Sequence, residues 1–522
     1  MLTNSRNCRK KYLIILDTII IIIILLSILL YKALENNKLI IGLEISVFLI
    51  LVLIYVNILV MNSNTFFTDI RLTFILGYLF YNLYTPTIYC FRQSENLNYG
   101  SSDIGWIFSS NDVQKSLFIS LLYLFGLLLA LTFIKKRKTN TSTIGNKYSI
   151  IDKKSKMNFC FWLILFSVSF AWYIYPYTKF GLQVISYDRW YRYTSLFNSL
   201  RKELGRINTV LNNLFNNYLM LISLFIMFKN IIDNRNKTQR SIFMGIIIFY
   251  SIFILFIDFR RRELLIVILM FISYYFFQIK DKLNDKKIKK ILKKITLTLS
   301  MLLIFFMVYQ QYRQYFTYGY TRGVTAIKDM KSKESESYKE TELYYSEFGM
   351  VYITNICTAK YHPELLYGKS YIEGMIKPIP IISKMTYEWL GYNQDIDTID
   401  VWLSTIYIQC FEAGGGLGYS PASEAYINFN YLGCLSIGFI IGLLLNLLYK
   451  KLYNDKNIII YSILFPLAFL FNRTDFLGFT TEFFWLVFYY IFYSGIFKII
   501  RSCCVKYDFV LKKQNKSNEK ID

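Results

Sequence analysis

The chain has 522 residues, of which 54% are hydrophobic and 19% aromatic, while only 18% are charged. Disorder is excluded, because a disordered chain needs low hydrophobicity, and a soluble globular enzyme is disfavoured, because apolar runs near 18 residues in length recur throughout. The formal charge of +24 comes from 59 Lys+Arg against 35 Asp+Glu; membrane proteins place such cations in cytoplasmic loops, so no nucleic-acid partner is expected.

A helix needs about 20 apolar residues to cross the hydrocarbon core. In chain order the candidates are 12–31, 39–61, 73–91, 116–134, 158–177, 209–228, 242–258, 264–279, 295–310, 431–449, 457–471 and 481–499. They predict an all-α, polytopic integral membrane protein with about 12 transmembrane helices. The first is not a cleavable signal peptide, since its apolar core runs on to Leu30 without a small-residue cleavage site. Only Phe259-Arg260-Arg261-Arg262-Glu263 separates 242–258 from 264–279. We read a tight turn there, because one continuous helix would hold three arginines at mid-membrane, at about 2.5–3.5 kcal/mol each.

Lysine-rich loops alternate along the chain, at Lys10-Lys11, Lys135 to Lys138, Lys280 to Lys294, Lys450-Lys451 and Lys506 to Lys520. They fall on one side of the membrane, which predicts cytoplasmic N and C termini. The organisation expected is 1–310 for helices one to nine, 311–430 for one large extracytoplasmic loop, 431–500 for the last three helices, and 501–522 for a cytoplasmic tail. The loop is too long for a plain connection and reads as a mostly helical lid, with one helix over Ser332 to Lys360. The polar segment from Lys512 to Asp522 reads as disordered.

The opposite, outer side is enriched in arginine, which the loop rule does not explain. Arginine binds phosphate or carboxylate through two donors at once and stays charged when partly desolvated. Arg260, Arg261 and Arg262 cap two helices, Arg313 lies beyond the ninth, Arg322 lies in the large loop and Arg473 stands between the last two helices. Arg189 and Arg192 are interleaved with Tyr187, Trp190, Tyr191 and Tyr193. The set suits a lipid-linked pyrophosphate at headgroup depth, with aromatic faces for sugar rings; the plainer alternative is arginines that snorkel to membrane lipid.

Two stretches carry a resemblance. Arg260-Arg261-Arg262-Glu263-Leu264-Leu265 ends one span and opens the next, and Gly414-Gly415-Gly416-Leu417-Gly418-Tyr419-Ser420-Pro421-Ala422-Ser423-Glu424-Ala425-Tyr426-Ile427-Asn428-Phe429-Asn430 leads into the tenth. The sequence resembles the bacterial oligosaccharide repeat-unit polymerases of the Wzy type, whose pattern there is a Gly-rich turn, Ser-Pro, Glu-Ala-Tyr and Asn-Phe-Gly. It departs at Asn430, where the family usually has Gly; we read that as a helix-packing position. The resemblance implies a GT-C-like, membrane-embedded inverting glycosyltransferase at the outer face of the plasma membrane. Its donor is a glycan on polyprenyl pyrophosphate and its acceptor a lipid-linked repeat unit, giving O-antigen or capsular polysaccharide. It implies no cofactor and no metal, and as partners a chain-length regulator and the flippase of the same pathway.

That reaction must neutralise a pyrophosphate and take a proton from an acceptor hydroxyl. Arg261 and Arg473 are the candidates for the first task, with Arg260, Arg262, Arg313, Arg322, Arg189, Arg192, Tyr419 and Tyr426 holding pyrophosphate or glycan. Consecutive helical residues point about 100° apart, so at most two of Arg260 to Arg262 face one cavity. Glu424 is the candidate base: Ser420 suits an N-cap and Pro421 the first turn, so a helix over 421–449 would carry Glu424 at the outer surface. Alternatively it only orients an arginine. His362, the single histidine, is a second candidate base by likeness to the related ligases, or a surface residue. Gly414 to Gly418 is a phosphate cradle or a hinge. Asp395 and Asp397 form a weak metal pattern, Asp17 and Glu44 lie inside expected spans, and Cys357 and Cys410 share the outer loop and could pair. A flippase and a ligase remain as alternatives; a flippase should show repeated halves and a polar central path, neither of which is clear here.

Overall fold

The computed structural model describes residues 37–62, 68–91, 97–99, 106–131, 152–181, 184, 196–234, 236–258, 260–279, 347–361, 364–379, 418–454 and 456–518. In chain order the helices are α1 (Asn37–Asn62), α2 (Ile70–Phe91), α3 (Ser110–Leu131), α4 (Asp152–Phe180), α5 (Phe197–Leu214), α6 (Asn217–Asn234), α7 (Lys237–Ile252), α8 (Arg261–Ile279), α9 (Glu347–Tyr361), α10 (Lys369–Ile376), α11 (Pro421–Leu452), α12 (Ile458–Leu470) and α13 (Phe476–Asn518). An exception to the all-α expectation is a small antiparallel pair of three-residue strands, β1 (Leu97–Tyr99) with β2 (Trp106–Phe108), in the register Leu97 opposite Phe108.

Six described helical stretches are long and apolar enough to cross a membrane: Ser110–Ala130, Lys156–Phe180, Val210–Asn234, Lys237–Ile257, Pro421–Leu452 and Phe476–Cys503. Ile41–Asn57 and Ile458–Arg473 are shorter apolar helices, and α2 and α8 lie over two more of the expected spans. The expected spans 12–31 and 295–310 lie outside the described residues. Apolar side chains such as Ile248, Phe249 and Ile252 stay exposed on α7, as a lipid-facing surface requires.

Three elements differ from the sequence reading. The span expected over 209–228 straddles a break, because the chain leaves helical geometry at Phe215 (φ −131°, ψ 66°) and Asn216 caps α6 by accepting from the Tyr218 and Leu219 N–H groups. The tail expected to be disordered is helical to Asn518; no Gly or Pro follows Gly495 to stop the helix. Part of the expected lid is interior, since Val351 to Thr358 on α9 are buried to 1% exposure or less.

The chain divides into two compact units, Met1–Thr141 with Lys333–Thr481, and Ser142–Ser332 with Glu482–Asp522. In the first, α3 starts in a reciprocal cap: the Ser109 N–H donates to Asp112 at 2.9 Å and the Asp112 N–H to the Ser109 hydroxyl at 3.3 Å. Small residues let α3 and α11 touch backbone to backbone. A Cβ on Gly126 would strike the Leu435 carbonyl, one on Gly438 the Tyr123 carbonyl, and one on Gly442 would come within 2.6 Å of Ala130. This is how membrane helices associate when lipid removes the hydrophobic drive between them. Buried Arg71 pairs with Asp69 at 2.5 Å and lies 4.2 Å over the Tyr449 ring. In the second unit α4 packs on α6 and α6 on α8, and Phe170 of α4 meets Phe253, just after α7, edge-on at 5.3 Å.

Candidate functional site

The arginine-rich turn of the second unit is shaped by the helix before it. After α7 the chain widens into a π turn, Phe253–Ile257, a local distortion frequent at functional sites. The Asp258 N–H reaches back to the Phe253 carbonyl at 3.1 Å and the Arg260 N–H to Ile254 at 2.9 Å. That widening turns Asp258 inward until it is fully buried. There it accepts from the Tyr177 hydroxyl at 2.8 Å and from the Tyr173 hydroxyl, and pairs with Arg260 at 3.0 Å. Buried carboxylates are tolerated when paired and hydrogen-bonded in this way.

The ion pairs described around the triplet are with carboxylates, and the Arg260 guanidinium lies 5.9 Å over the Tyr173 ring. Arg260 also lies 3.4 Å from Glu263, whose other neighbour is the Asn217 amide, donating at 3.2 Å. Arg262 pairs with Glu482 at 2.7 Å. Arg261 is half-buried at the start of α8. Arg260, which precedes α8, lines a cavity of about 370 Å³ together with Trp172, Tyr175, Asn208, Asn212, Asn217 and Trp485, among others.

In the first unit the Ser-Pro-Glu motif has the local structure its residues dictate. Ser420 is the N-cap of α11, accepting from the Ala422 N–H, and Pro421 follows in the first turn. Glu424, however, is not at a surface; it is fully buried. Its carboxylate accepts from the Ser370 hydroxyl at 2.7 Å and from the Phe476 N–H at 2.7 Å, tying α11 to α10 and to the start of α13. Asn428 extends the network, donating to the Ser370 hydroxyl at 2.8 Å and accepting from the Gly368 N–H at 2.9 Å. A second buried network joins four elements through Asn82, which accepts from Ser120 at 2.9 Å and Asn355 at 3.1 Å, while Ser423 donates to Asn355 at 2.7 Å.

The two tyrosines of the motif expected to hold pyrophosphate or glycan are buried. Tyr419 is fully buried with its hydroxyl 3.2 Å from that of Thr358, and Tyr426 packs edge-on against Tyr431 at 5.2 Å. Burial, then the nearby Glu424 carboxylate, pushes the Tyr371 hydroxyl well above its ordinary range; burial does the same to Tyr419. Both remain neutral phenols. Asn430 is no simple packing position: helix α11 is interrupted there, with φ 58° and ψ −154°.

The model of the family O-antigen polysaccharide polymerase Wzy matches residues 13–506. The chain belongs to the Wzy family. No curated protein and no solved structure matches it. Wzy membership makes the chain a multi-pass membrane enzyme that polymerises O-antigen repeat units, with lipid-linked oligosaccharides as substrates.

Of the expected Wzy site residues, Arg260 to Arg262 are gathered in the second unit, while Glu424, Tyr419, Tyr426 and Arg473 belong to the first. Arg473 ends a short 3-10 turn, Phe471–Arg473, and its carbonyl accepts from the Tyr419 N–H at 2.9 Å. Gly418 fits against that carbonyl at φ 82°, where a Cβ would come within 2.7 Å. Arg189, Arg192, Arg313, Arg322, His362, Asp395, Asp397, Cys410 and Asp17 lie outside the described residues. Among the described residues no cluster of three metal-ligating side chains occurs.

The sequence reading passed over the asparagines. Asn208, Asn212, Asn213, Asn216 and Asn217 fall within ten residues; the i, i+4 spacing puts Asn208 and Asn212 along one face of α5, and Asn216 and Asn217 follow the break at Phe215. All five line the cavity. Asp258 and Glu263, which flank the arginines in sequence, were equally visible.

Proposed function

We propose that this Wzy-family chain moves the growing glycan from polyprenyl pyrophosphate to a hydroxyl of a lipid-linked repeat unit, with inversion, at the outer face of the bacterial plasma membrane. The bond from the anomeric carbon to the pyrophosphate oxygen breaks, and a bond to the acceptor oxygen forms. The hydroxyl proton passes to a base and polyprenyl pyrophosphate leaves. What supports the reading, within a family of repeat-unit polymerases, is the cavity of the second unit, where aromatic rings and amides meet the arginine turn.

Arg261 and Arg473, with the outer arginines 189, 192, 313 and 322, stabilise the charge that grows on the leaving group. Glu424 acts as a positioning residue, holding α11 to α10 and to the first turn of α13. The full architecture is a GT-C-like bundle of about 12 spans, both termini cytoplasmic, as the alternating lysine loops predict. It works beside a flippase that delivers the repeat unit and a regulator of chain length.

The test is deletion of the gene in its host, followed by gel analysis of surface glycan. Loss of the polymer ladder with a single repeat unit still displayed, restored by wild type and not by Arg261→Ala at equal membrane level, is the expected result. Loss of all surface glycan, with lipid-linked units accumulating inside, would overturn the reading in favour of a flippase.

A further inference from the structure

We propose that the cavity of the second unit is a subsite for an uncharged sugar ring of the repeat unit, in which Arg260 serves as a hydrogen-bond donor and not as a phosphate clamp. The inference deepens the function proposed above and rests on it.

The electrostatics point this way first. Among the described residues the guanidinium that lines the cavity is that of Arg260, which faces two carboxylates, Asp258 at 3.0 Å and Glu263 at 3.4 Å. A pyrophosphate placed there would meet a charge already offset. A neutral ligand needs no net positive field, because a guanidinium N–H donates to a hydroxyl oxygen whatever its charge balance.

The shape and lining point the same way. A sugar ring has a C–H face, which wants an apolar plane, and an edge of hydroxyls, each donor and acceptor. The planes are present and fixed. Trp172 donates its indole N–H to Asn212 at 2.8 Å, and its ring lies parallel to that of Tyr175, 8° between planes and 5.7 Å between centroids. Trp485 stacks on Tyr489 at 5.5 Å, and the Tyr489 hydroxyl is tied to the Asn213 carbonyl at 2.7 Å. The polar edge is present too. Asn212 donates to the Asn208 side-chain oxygen at 3.2 Å, and both amides line the cavity. Asn217 donates to Glu263, so its own carbonyl oxygen faces away from that carboxylate; the oxygen is buried with no partner among the described residues. A buried acceptor of this kind is completed by a hydroxyl or amide N–H of a ligand. About 370 Å³ lies at the lower end of the roughly 300–1,000 Å³ of small-ligand pockets, room for a sugar unit rather than for a lipid chain.

The probe is the repeat-unit oligosaccharide released by mild acid from lipid-linked units, carrying neither lipid nor phosphate. Its binding to the purified full chain in detergent is followed by tryptophan fluorescence and by titration calorimetry. Wild type should bind it, inorganic pyrophosphate should fail to displace it, and Trp172→Ala should weaken it by about tenfold or more, as loss of an aromatic anchor does. Trp172→Phe, which keeps a ring, should recover most of the affinity. Asn208→Ala, at a half-buried edge, should weaken binding several-fold and serves if Trp172→Ala does not fold. The subsite is overturned if wild type does not bind the free oligosaccharide, if pyrophosphate displaces it, or if both Trp172→Ala and Asn208→Ala bind as wild type does. Failure of the polymerase reading shows separately, in the deletion gel.

Discussion

Asn430 holds φ 58° and ψ −154° in the middle of α11, a region that glycine enters freely and other residues rarely. Its own side chain eases the strain by accepting from the Tyr431 N–H at 2.8 Å. The Gly that the family pattern carries there is thus a backbone requirement. Asn430→Gly is expected to polymerise like wild type, with a thermal midpoint in detergent within a few degrees. Asn430→Val, whose branched Cβ suits this conformation badly, should cost about 1–3 kcal/mol. Glu424→Gln tests the neighbouring motif. A glutamine can satisfy only one of the Ser370 and Phe476 donors with its oxygen, so stability should fall by about 1–3 kcal/mol, together with membrane level. A variant of wild-type stability that makes no polymer would instead mark Glu424 as the base. The cap at Ser420 and Pro421 was legible in the sequence because capping is local. The burial of Glu424 was not, since its partners stand 54 and 52 residues away.

Between helices, the close contact of α3 and α11 depends on Gly126, Gly438 and Gly442, where an added Cβ would meet backbone or a helix-borne methyl. Gly438→Leu drives a side chain at the Tyr123 carbonyl, which cannot step aside. Overpacking of this order costs about 1–3 kcal/mol or more, and a lowered thermal midpoint with reduced folded protein in membranes is the expected readout. Most helices were legible, because uninterrupted apolar runs leave the backbone no other way to satisfy itself in lipid. The break between α5 and α6 was less so: Leu214 and Phe215 keep hydropathy high across it, and only the asparagines reveal that polar chemistry enters there. The extra turns of α13 beyond Lys512 carry no apolar signal, so hydropathy could not place them.

For the whole molecule, the division into two units runs across the linear order, each unit being built from separated stretches of chain. Linear reading by hydropathy could not reveal this, because it depends on which helices meet. Within the second unit, the pair Arg262–Glu482 joins the two stretches at 2.7 Å. Arg262→Ala leaves a largely buried carboxylate without its partner and should destabilise by about 1–3 kcal/mol. Arg262→Leu with Glu482→Leu should recover much of that loss, and a double-mutant cycle on thermal unfolding measures the coupling. The sidedness of the molecule is tested by fusions after Lys506: a fluorescent protein should glow and a periplasmic phosphatase stay inactive if the C terminus is cytoplasmic.

The enclosure of Arg260 between Asp258 and Glu263 also governs how the enzyme responds to its ionic surroundings. A bare guanidinium attracts ligands through a field that dissolved ions screen over about 8 Å at physiological strength, so its grip loosens as salt rises. A guanidinium already balanced by carboxylates projects little field for those ions to screen. Capture of the proposed sugar unit in this cavity should therefore persist largely unchanged from dilute buffer to high salt, with recognition set by shape and hydrogen bonding.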